Sequence, residues 1–158
     1  MNEHEDTVFL ERAIAIAEEN IHNGGGPFGA VIVENGEIIG ESGNQVRIDN
    51  DPTAHAEVLA IRKVCSLKKN FSLEHCTIYT SCEPCPMCLG AIYWAKIPRL
   101  IYAATRRDAT KAGFDDAKIY EEISLSFNRR TIASKHIDLA KSKQVFEQWN
   151  LMEDKKSY

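Results

Sequence analysis

The sequence predicts an α/β fold in which helices cover both faces of a central sheet. Short apolar or β-branched runs, which are typical of strands, alternate along the chain with segments whose apolar residues recur at helical spacing. The chain has 158 residues, which is the length of one domain and enough to bury a sizeable core. We therefore predict a single domain over residues 1–158.

The first predicted helix begins at Asp6 or Thr7, either of which can cap it, and continues to Ile21. Its apolar residues recur at roughly helical spacing, with charged residues between them. Gly24-Gly25-Gly26-Pro27 then ends the helix. We interpret these glycines as a turn, although they could also let the backbone approach a ligand closely.

A β-hairpin is predicted next. Gly29 to Val33 and Ile38 to Gly40 are short runs of strand-forming and small residues, and Asn35-Gly36 between them is a signal for a tight turn. The following stretch, Ser42 to Pro52, is mostly polar and is predicted to be irregular. These features predict two antiparallel strands followed by a loop.

A second helix is predicted from about Ala54 to Leu67, with Thr53 as a candidate N-cap. His55 and Glu57 are separated by one residue, which puts them on opposite faces of a regular helix. If both side chains are to reach one site, His55 must lie at the very start of the helix, where the chain is still turning.

Thr77 to Ser81 predicts a buried strand, and a third helix is predicted from Pro86 to Trp94 with its proline in the first turn. Cys85 and Cys88 therefore lie at the N-terminus of that helix, where the helix dipole favours the thiolate form. Leu100 to Ala103 predicts another short strand.

Shorter patterns predict the remaining elements. Gly113-Phe114-Asp115-Asp116 predicts a loop, and Ile119 to Ile123 predicts a helical turn. Ile132 to Leu139 predicts a last strand. Ser142 to Met152 predicts a last helix, because its large apolar residues fall on one helical face.

Two short stretches carry the chemistry: His55-Ala56-Glu57 and Pro84-Cys85-Pro86-Met87-Cys88. Zinc binds neutral imidazole and thiolate, and a catalytic zinc site has three protein ligands and one position for water. His55, Cys85 and Cys88 supply three ligands, and Glu57 beside them is free to move protons. This pairing, H-x-E followed by P-C-x-x-C, is the signature of zinc-dependent nucleobase deaminases.

One alternative to a catalytic zinc site stays open. Cys82 could be the fourth ligand of a closed, structural site, although Glu57 would then have no function. Otherwise Cys82 is a small residue at a strand end. Cys65 and Cys76 are expected to be buried apolar side chains, as free cysteines usually are.

Composition narrows the class of protein. Five cysteines are an odd number, and three of them fall between Cys82 and Cys88, which suits a metal site in a reducing compartment better than disulfides. The start of the chain shows no signal peptide and no apolar stretch is long enough to span a membrane, so we predict a cytoplasmic protein. A formal net charge of -4 weighs against a nucleic-acid substrate, which calls for clustered Lys and Arg.

Four stretches resemble a known family. They are Gly25-Gly26-Pro27-Phe28-Gly29-Ala30-Val31, Asn50-Asp51-Pro52-Thr53-Ala54-His55-Ala56-Glu57, Glu83-Pro84-Cys85-Pro86-Met87-Cys88-Leu89-Gly90-Ala91 and Ala112-Gly113-Phe114-Asp115-Asp116. On these stretches the chain resembles the cytidine-deaminase superfamily and, within it, the short bacterial guanine deaminases. The zinc motif is shared by the superfamily, whereas the Gly-Phe-Asp-Asp loop and the Lys-Lys-Ser-Tyr ending resemble guanine deaminase.

The resemblance implies a five-stranded mixed sheet between helices, one zinc ion per chain, and hydrolysis of guanine to xanthine and ammonia. It also implies a homodimer in which the segment 142–158 is exchanged between subunits and closes the partner's site. Carried over by position, Asn44 binds the base, Phe28 stacks on it, and Asp116 and Tyr158 help to recognise the purine.

The residues alone do not require these roles. Asn44 would be expected to hold loop backbone, and Tyr158 would be a frayed chain end. Asp115 and Asp116 are not distinguished by the sequence. Only their positions in the resembling stretches assign these side chains to a base.

Glu57 can take a proton from the attacking water, give it to a ring nitrogen and later protonate the departing amine. Competing functions are a transfer-RNA adenosine deaminase, which shares Asp-Pro-Thr-Ala-His-Ala-Glu, and a deaminase of cytosine or another aminated heterocycle. From a different class, the chain could be a zinc-stabilised binding module, but Glu57 argues against it. We expect the partner to be a small purine base.

Overall fold

The computed structural model describes residues 3–156, which form helices and strands in alternation. The elements are α1 (Glu3–His22), β1 (Gly26–Glu34), β2 (Glu37–Asn44), α2 (Val46–Asp49), α3 (Ala56–Lys68), β3 (Cys76–Cys82), α4 (Pro86–Trp94), β4 (Arg99–Ala104), α5 (Arg106–Lys111), α6 (Ala117–Ser124), a 3₁₀ turn (Phe127–Arg129) and α7 (Ala140–Leu151). These residues fall into two compact units, divided between Ala117 and Lys118. The single domain over 1–158 stays a prediction.

The first unit contains a mixed sheet with the strand order β2-β1-β3-β4. Strand β1 is antiparallel to both β2 and β3, and β4 is parallel to β3. The four strands of this sheet lie between Gly26 and Ala104 in the sequence. The predicted α/β class and mixed sheet are confirmed.

Alternate residues of β1 face opposite sides of the sheet. Ala30 and Ile32 belong to a buried cluster formed with residues of α3 and α4. Val31 and Val33 belong to a second buried cluster, which includes residues of α1. Because each face of the sheet is covered by its own helices, the predicted three layers are present.

The hairpin between β1 and β2 has the turn that its sequence predicts. Asn35 and Gly36 both have positive φ, at 52° and 81°, as a type I′ turn requires. Strand β2 continues to Asn44, and the short helix α2 follows it. The predicted irregular stretch over 42–52 therefore contains a strand end and a helical turn.

The predicted fifth strand over Ile132 to Leu139 is wrong, and the described part of the chain forms a four-stranded sheet. A strand exists only when its backbone pairs with a neighbour. All residues of the segment are exposed, and none pairs with a strand among residues 3–156. Ile132, Ile137 and Leu139 do form an apolar pattern, but these residues belong to no strand in the described part of the chain.

The unit that follows Ala117 contains α6, the 3₁₀ turn and α7, and none of its described side chains is buried. Arg130 ties its loop together, because Nε donates to the Leu125 carbonyl at 3.0 Å and the guanidinium lies 4.3 Å from the Phe127 ring centroid. The predicted last helix is confirmed as α7. Its large side chains, Phe146 among them, are exposed.

Within residues 3–156, no helix is both long and apolar enough to cross a lipid bilayer.

Asp6 fastens α1 to the sheet and does not cap the helix, so that predicted cap is wrong. Its carboxylate accepts a hydrogen bond from the Tyr79 hydroxyl at 2.7 Å and two from Arg99 at 2.7 and 2.6 Å. Thr7 also lies inside the helix, where its hydroxyl donates to the Glu3 carbonyl. The Arg99 hydrogen bonds lower the pKa of Asp6 to about 2.

We expect Asp6→Ala to lower the free energy of unfolding at pH 7 by about 1–3 kcal/mol, because the buried Tyr79 hydroxyl loses its acceptor. Arg99 is partly exposed, so its ion pair contributes less than its geometry suggests. A carboxyl with a depressed folded-state pKa stabilises the protein above its unfolded pKa and loses that contribution as pH falls. The difference between parent and variant should therefore shrink between about pH 4 and pH 2.

Urea denaturation across this pH range measures the difference. Glu11→Ala, an exposed carboxyl on the same helix, is the matched control and should change stability by less than about 0.5 kcal/mol. An Asp6 variant that is no less stable than the Glu11 variant would contradict the role of this contact.

Candidate active site

Three side chains predicted as zinc ligands lie together. The Nδ1 atom of His55 is 3.6 Å from the Cys85 Sγ atom and 3.5 Å from the Cys88 Sγ atom. A tetrahedral zinc with ordinary Zn–S and Zn–N bond lengths separates sulfur from nitrogen by about 3.5 Å. The three donor atoms all lie within 4.8 Å of one another. Both the donor set and the spacing therefore fit one zinc ion.

Two helix starts bring these ligands together. His55 is the N-cap of α3 and Cys85 is the N-cap of α4, and both have extended backbone, with φ of -71° and -66°. Cys88 lies in the first turn of α4, and a proline at the start of that helix sets its direction. The prediction that His55 lies at the very start of its helix is confirmed.

Thr53, the predicted N-cap of this helix, is not the cap. Its backbone N–H and its hydroxyl both donate to Asp51 Oδ1 at 2.7 Å, which closes a turn before the helix. The helix consequently begins at Ala56 instead of Ala54. This shift leaves His55 in the extended conformation at the helix N-cap.

Hydrogen bonds among His55, Cys85 and Cys88 favour the thiolate form of one cysteine. The pKa of Cys85 is lowered to about 4, chiefly by a hydrogen bond from the Cys88 thiol and also by His55. The same hydrogen bond, together with burial, raises the pKa of Cys88. The hydrogen bond to Cys85 raises the pKa of His55. Metal binding displaces such protons, so the pair is suited to become two thiolate ligands.

Glu57 lies in the first turn of α3 and its residue is only 8% exposed. Burial raises the pKa of its carboxyl, and the Cys85 thiolate adds to the shift. A bound cation acts in the opposite direction. A carboxyl under these opposing influences is suited to both accepting and donating a proton near neutral pH.

Cys82 lies outside the ligand cluster. Its Sγ atom donates a weak hydrogen bond to the Thr105 carbonyl oxygen at 3.6 Å. Burial raises its pKa to about 11, so the side chain stays a neutral thiol. This geometry favours the interpretation of Cys82 as a small residue at a strand end over that of a fourth ligand.

The two neighbouring aspartates, which the sequence does not distinguish, have different surroundings. Asp115 Oδ1 accepts a hydrogen bond from the Ala117 backbone N–H at 3.0 Å and caps the start of α6. Asp116 is half-buried, and its pKa is raised first by burial and then by the charge of Cys85. Asp116 is therefore coupled electrostatically to the cluster of His55, Cys85 and Cys88.

The other predicted contacts lie at the ends of the first two strands. Asn44 is the last residue of β2 and is 7% exposed, and its Oδ1 atom accepts from the Val46 backbone N–H at 3.2 Å. Phe28 meets Phe114 edge to face, with ring centroids 5.0 Å apart. Sequence reasoning did not predict this aromatic pair, although both residues lie in the resembling stretches. Tyr158 lies outside the described residues.

An apolar cavity of about 360 Å³ lies beside this region. Phe28, Phe114 and Cys82 contribute to its walls, together with side chains of α1 and α5. Within residues 3–156, its lining does not include the three zinc-ligand candidates or Glu57. The cavity is therefore a neighbour of the metal cluster and does not enclose it.

Comparisons with known proteins agree with this site. The family described as the cytidine and deoxycytidylate deaminase zinc-binding region matches residues 3–104. A guanine deaminase of Bacillus subtilis is 52% identical over 95% of this chain and 97% of its own length. The X-ray structure of guanine deaminase from Bacillus subtilis covers 100% of this chain and 99% of its own, with a TM-score of 0.94 and 50% identity. A tRNA-specific adenosine deaminase of Buchnera aphidicola is 38% identical over 87% of this chain and 88% of its own length.

We expect one zinc ion per chain in the purified protein, and we expect Cys82→Ala to retain it. Cys85→Ala should lose it, because two ligands are a poor zinc site whereas Cys82 lies outside the cluster. Metal analysis after dialysis measures both variants against the parent. Equal loss from the two variants would show that Cys82 is a fourth ligand and that the site is closed.

Proposed function

This chain belongs to the cytidine and deoxycytidylate deaminase family, and we propose that it catalyses the hydrolysis of guanine to xanthine and ammonia. The observation that carries the proposal is the 52% identity to a guanine deaminase over nearly the whole chain. That similarity extends past residue 104, where the family match ends, and includes the loop that contains Asp116. In this proposal the loop determines which base is bound, and the three zinc ligands together with Glu57 determine the reaction.

His55, Cys85 and Cys88 would hold the zinc ion. When bound there, zinc lowers the pKa of a water toward neutrality and so supplies a nucleophile at working pH. The remaining work falls to Glu57, which accepts a proton from the attacking water and donates it to the ring nitrogen beside the reacting carbon. It then takes the second proton from the hydroxyl that has added to this carbon and gives it to the amine, so that a carbonyl forms as the C–N bond breaks and ammonia leaves. General acid–base catalysis of this kind is typically worth about 10²–10⁴-fold.

Asp116 recognises the purine in this proposal. A carboxylate accepts hydrogen bonds and donates none, and guanine presents a ring N1–H beside its 2-amino group, an adjacent pair of donors that adenine lacks. An adenine in the same pose would leave a half-buried carboxylate without donors, which is costly. The charge coupling between Asp116 and Cys85 supports its position near the reacting carbon.

Asn44 and Phe28 hold the base in its pose. The Asn44 Oδ1 atom is engaged by backbone, so its amide N–H₂ is the group that can donate to the base. The Phe28 ring provides an apolar face for stacking, and Phe114 supports it from the side.

The proposal extends to a homodimer in which the segment 142–158 of each chain closes the partner's site and brings Tyr158 to the base. Its support is the resemblance together with the exposed apolar side chains of α7. Light scattering of the purified protein tests the dimer.

Deamination of adenosine in transfer RNA is the second candidate, because the Buchnera aphidicola enzyme is similar over most of the chain. A long polyanion would require a basic surface, and the formal net charge here is -4. Free guanine therefore remains the better-supported substrate.

We expect Glu57→Gln to retain the zinc ion and the fold but to lower kcat by at least about 10²-fold, because an amide cannot carry the proton. Steady-state ammonia release, metal analysis and circular dichroism on the same preparation separate the two effects. Turnover near that of the parent at full zinc occupancy would remove Glu57 from the mechanism.

A matched pair of variants tests the recognition of guanine. Asp116→Asn replaces one acceptor oxygen by a donor and should lower kcat/KM for guanine by about 10- to 100-fold, the value of a hydrogen bond to a charged group. Asp115→Asn keeps an oxygen that can cap α6 and should remain within about threefold of the parent.

The same assay includes adenine, cytosine, their nucleosides and transfer RNA. Guanine should be the fastest substrate for the parent protein. Faster reaction on transfer RNA or cytosine, or equal losses from the two aspartate variants, would refute the proposed specificity.

A further inference from the structure

Asn20 lies in the last turn of α1, and its residue is only 6% exposed. Its Nδ2 atom donates to the carbonyl oxygens of Gly26 and Asn44, both at 2.7 Å. Its Oδ1 atom accepts from the Gln45 side chain at 3.0 Å. Both N–H groups and the oxygen of this one amide are therefore engaged with the chain at the ends of β1 and β2.

The neighbouring glycines leave room for this side chain. A Cβ atom at Gly25 would lie 2.3 Å from Asn20 Nδ2, and one at Gly43 would lie 2.5 Å from Asn20 Cγ. Side chains at either position would displace the amide. Glycine at these two positions is therefore explained by Asn20, and at Gly25 also by the Asn44 carbonyl oxygen, without a ligand that approaches the backbone.

The ladder between β1 and β2 is irregular where Asn20 binds it. Gly26 is opposite Asn44, whereas the next pair is Gly29 with Gly43, so two residues of β1 are extra to the ladder. Phe28 is one of those two residues. Bulges of this kind re-aim side chains and are common beside active sites.

Asn20 binds both strands at the bulge. Its two donors bind Gly26, where the bulge begins, and Asn44, where the partner strand ends. The Asn44 side chain packs directly over Gly26, since a Cβ atom there would lie 3.0 Å from Asn44 Oδ1. One buried amide therefore fixes the backbone that presents both Phe28 and Asn44.

We propose that Asn20 is a positioning residue, which acts on the substrate through Asn44, whose backbone carbonyl oxygen it binds beside the bulge of β1. The inference rests on the proposed role of Asn44 in binding the base. In this position Asn20 contacts backbone and Gln45, and it influences binding of the base without touching it.

A double-mutant cycle tests the inference. Asn20→Ala should raise KM for the base by about 10-fold while the zinc content stays at the parent value and kcat falls less. In an Asn44→Ala background the same change should have less than about a threefold further effect, because the side chain that Asn20 positions is already missing. Asn20→Ser, which keeps one donor, should recover part of the loss and serves if the alanine variant folds poorly.

Two controls separate positioning from general loosening of the helix. Asn23→Ala removes an exposed amide just beyond α1 and should leave KM unchanged. Asp6→Ala destabilises the attachment of α1 at its other end, and it should lower stability without raising KM. A rise of KM in the Asp6 variant equal to that in the Asn20 variant would overturn the inference.

The outcomes also separate this inference from the proposed function. If Asn44→Ala raises KM but Asn20→Ala multiplies it independently, the positioning role is wrong and the proposed function stands. If Asn44→Ala leaves KM unchanged, the role of Asn44 fails and the inference fails with it. If the parent prefers a base other than guanine, the proposed substrate is wrong, and the same cycle measured on the preferred base still tests the role of Asn20.

Discussion

The site depends on two helices that begin at nearly the same point. His55 and Cys85 are the N-caps of α3 and α4, and each is the residue at which extended backbone becomes helix. An N-cap side chain leaves the helix near its axis, where the dipole is positive and thiolate is favoured. The positions at which the two helices begin therefore determine which side chains can bind the metal. If either helix began one residue earlier or later, its N-cap side chain would point away from the other ligands.

The metal cluster and most elements could be predicted from the sequence because their causes are local. The Asn35-Gly36 turn, the proline at the start of α4 and the two-residue spacing of His55 and Glu57 each act over a few positions. The errors arose where a distant group decides the outcome. Asp6 could cap a helix by its type, but Arg99 and Tyr79 use its carboxylate.

The residues that we propose to bind the base were less predictable, for the same reason. The Ala117 backbone N–H that binds Asp115 is only two positions away, but the charge of Cys85 that acts on Asp116 comes from a distant part of the sequence. The segment from Ile132 to Leu139 has an apolar pattern, but a strand also needs a partner, which a pattern cannot supply. Nothing in the sequence around Asn20 predicts its role, although Gly25 and Gly43 leave the space that its side chain occupies.

The Asp6 contacts constrain the order in which the chain can assemble. Asp6 is 73 positions from Tyr79 and 93 positions from Arg99, so these contacts of α1 cannot form until β3 and β4 have been synthesised. Closing such long loops costs entropy before the contacts repay it, and distant pairings slow folding. The β1–β2 hairpin closes within a few residues and can form early. The apolar side of α1 can therefore pack on β1 early, whereas the polar contacts of Asp6 complete its attachment only after β3 and β4 are in place.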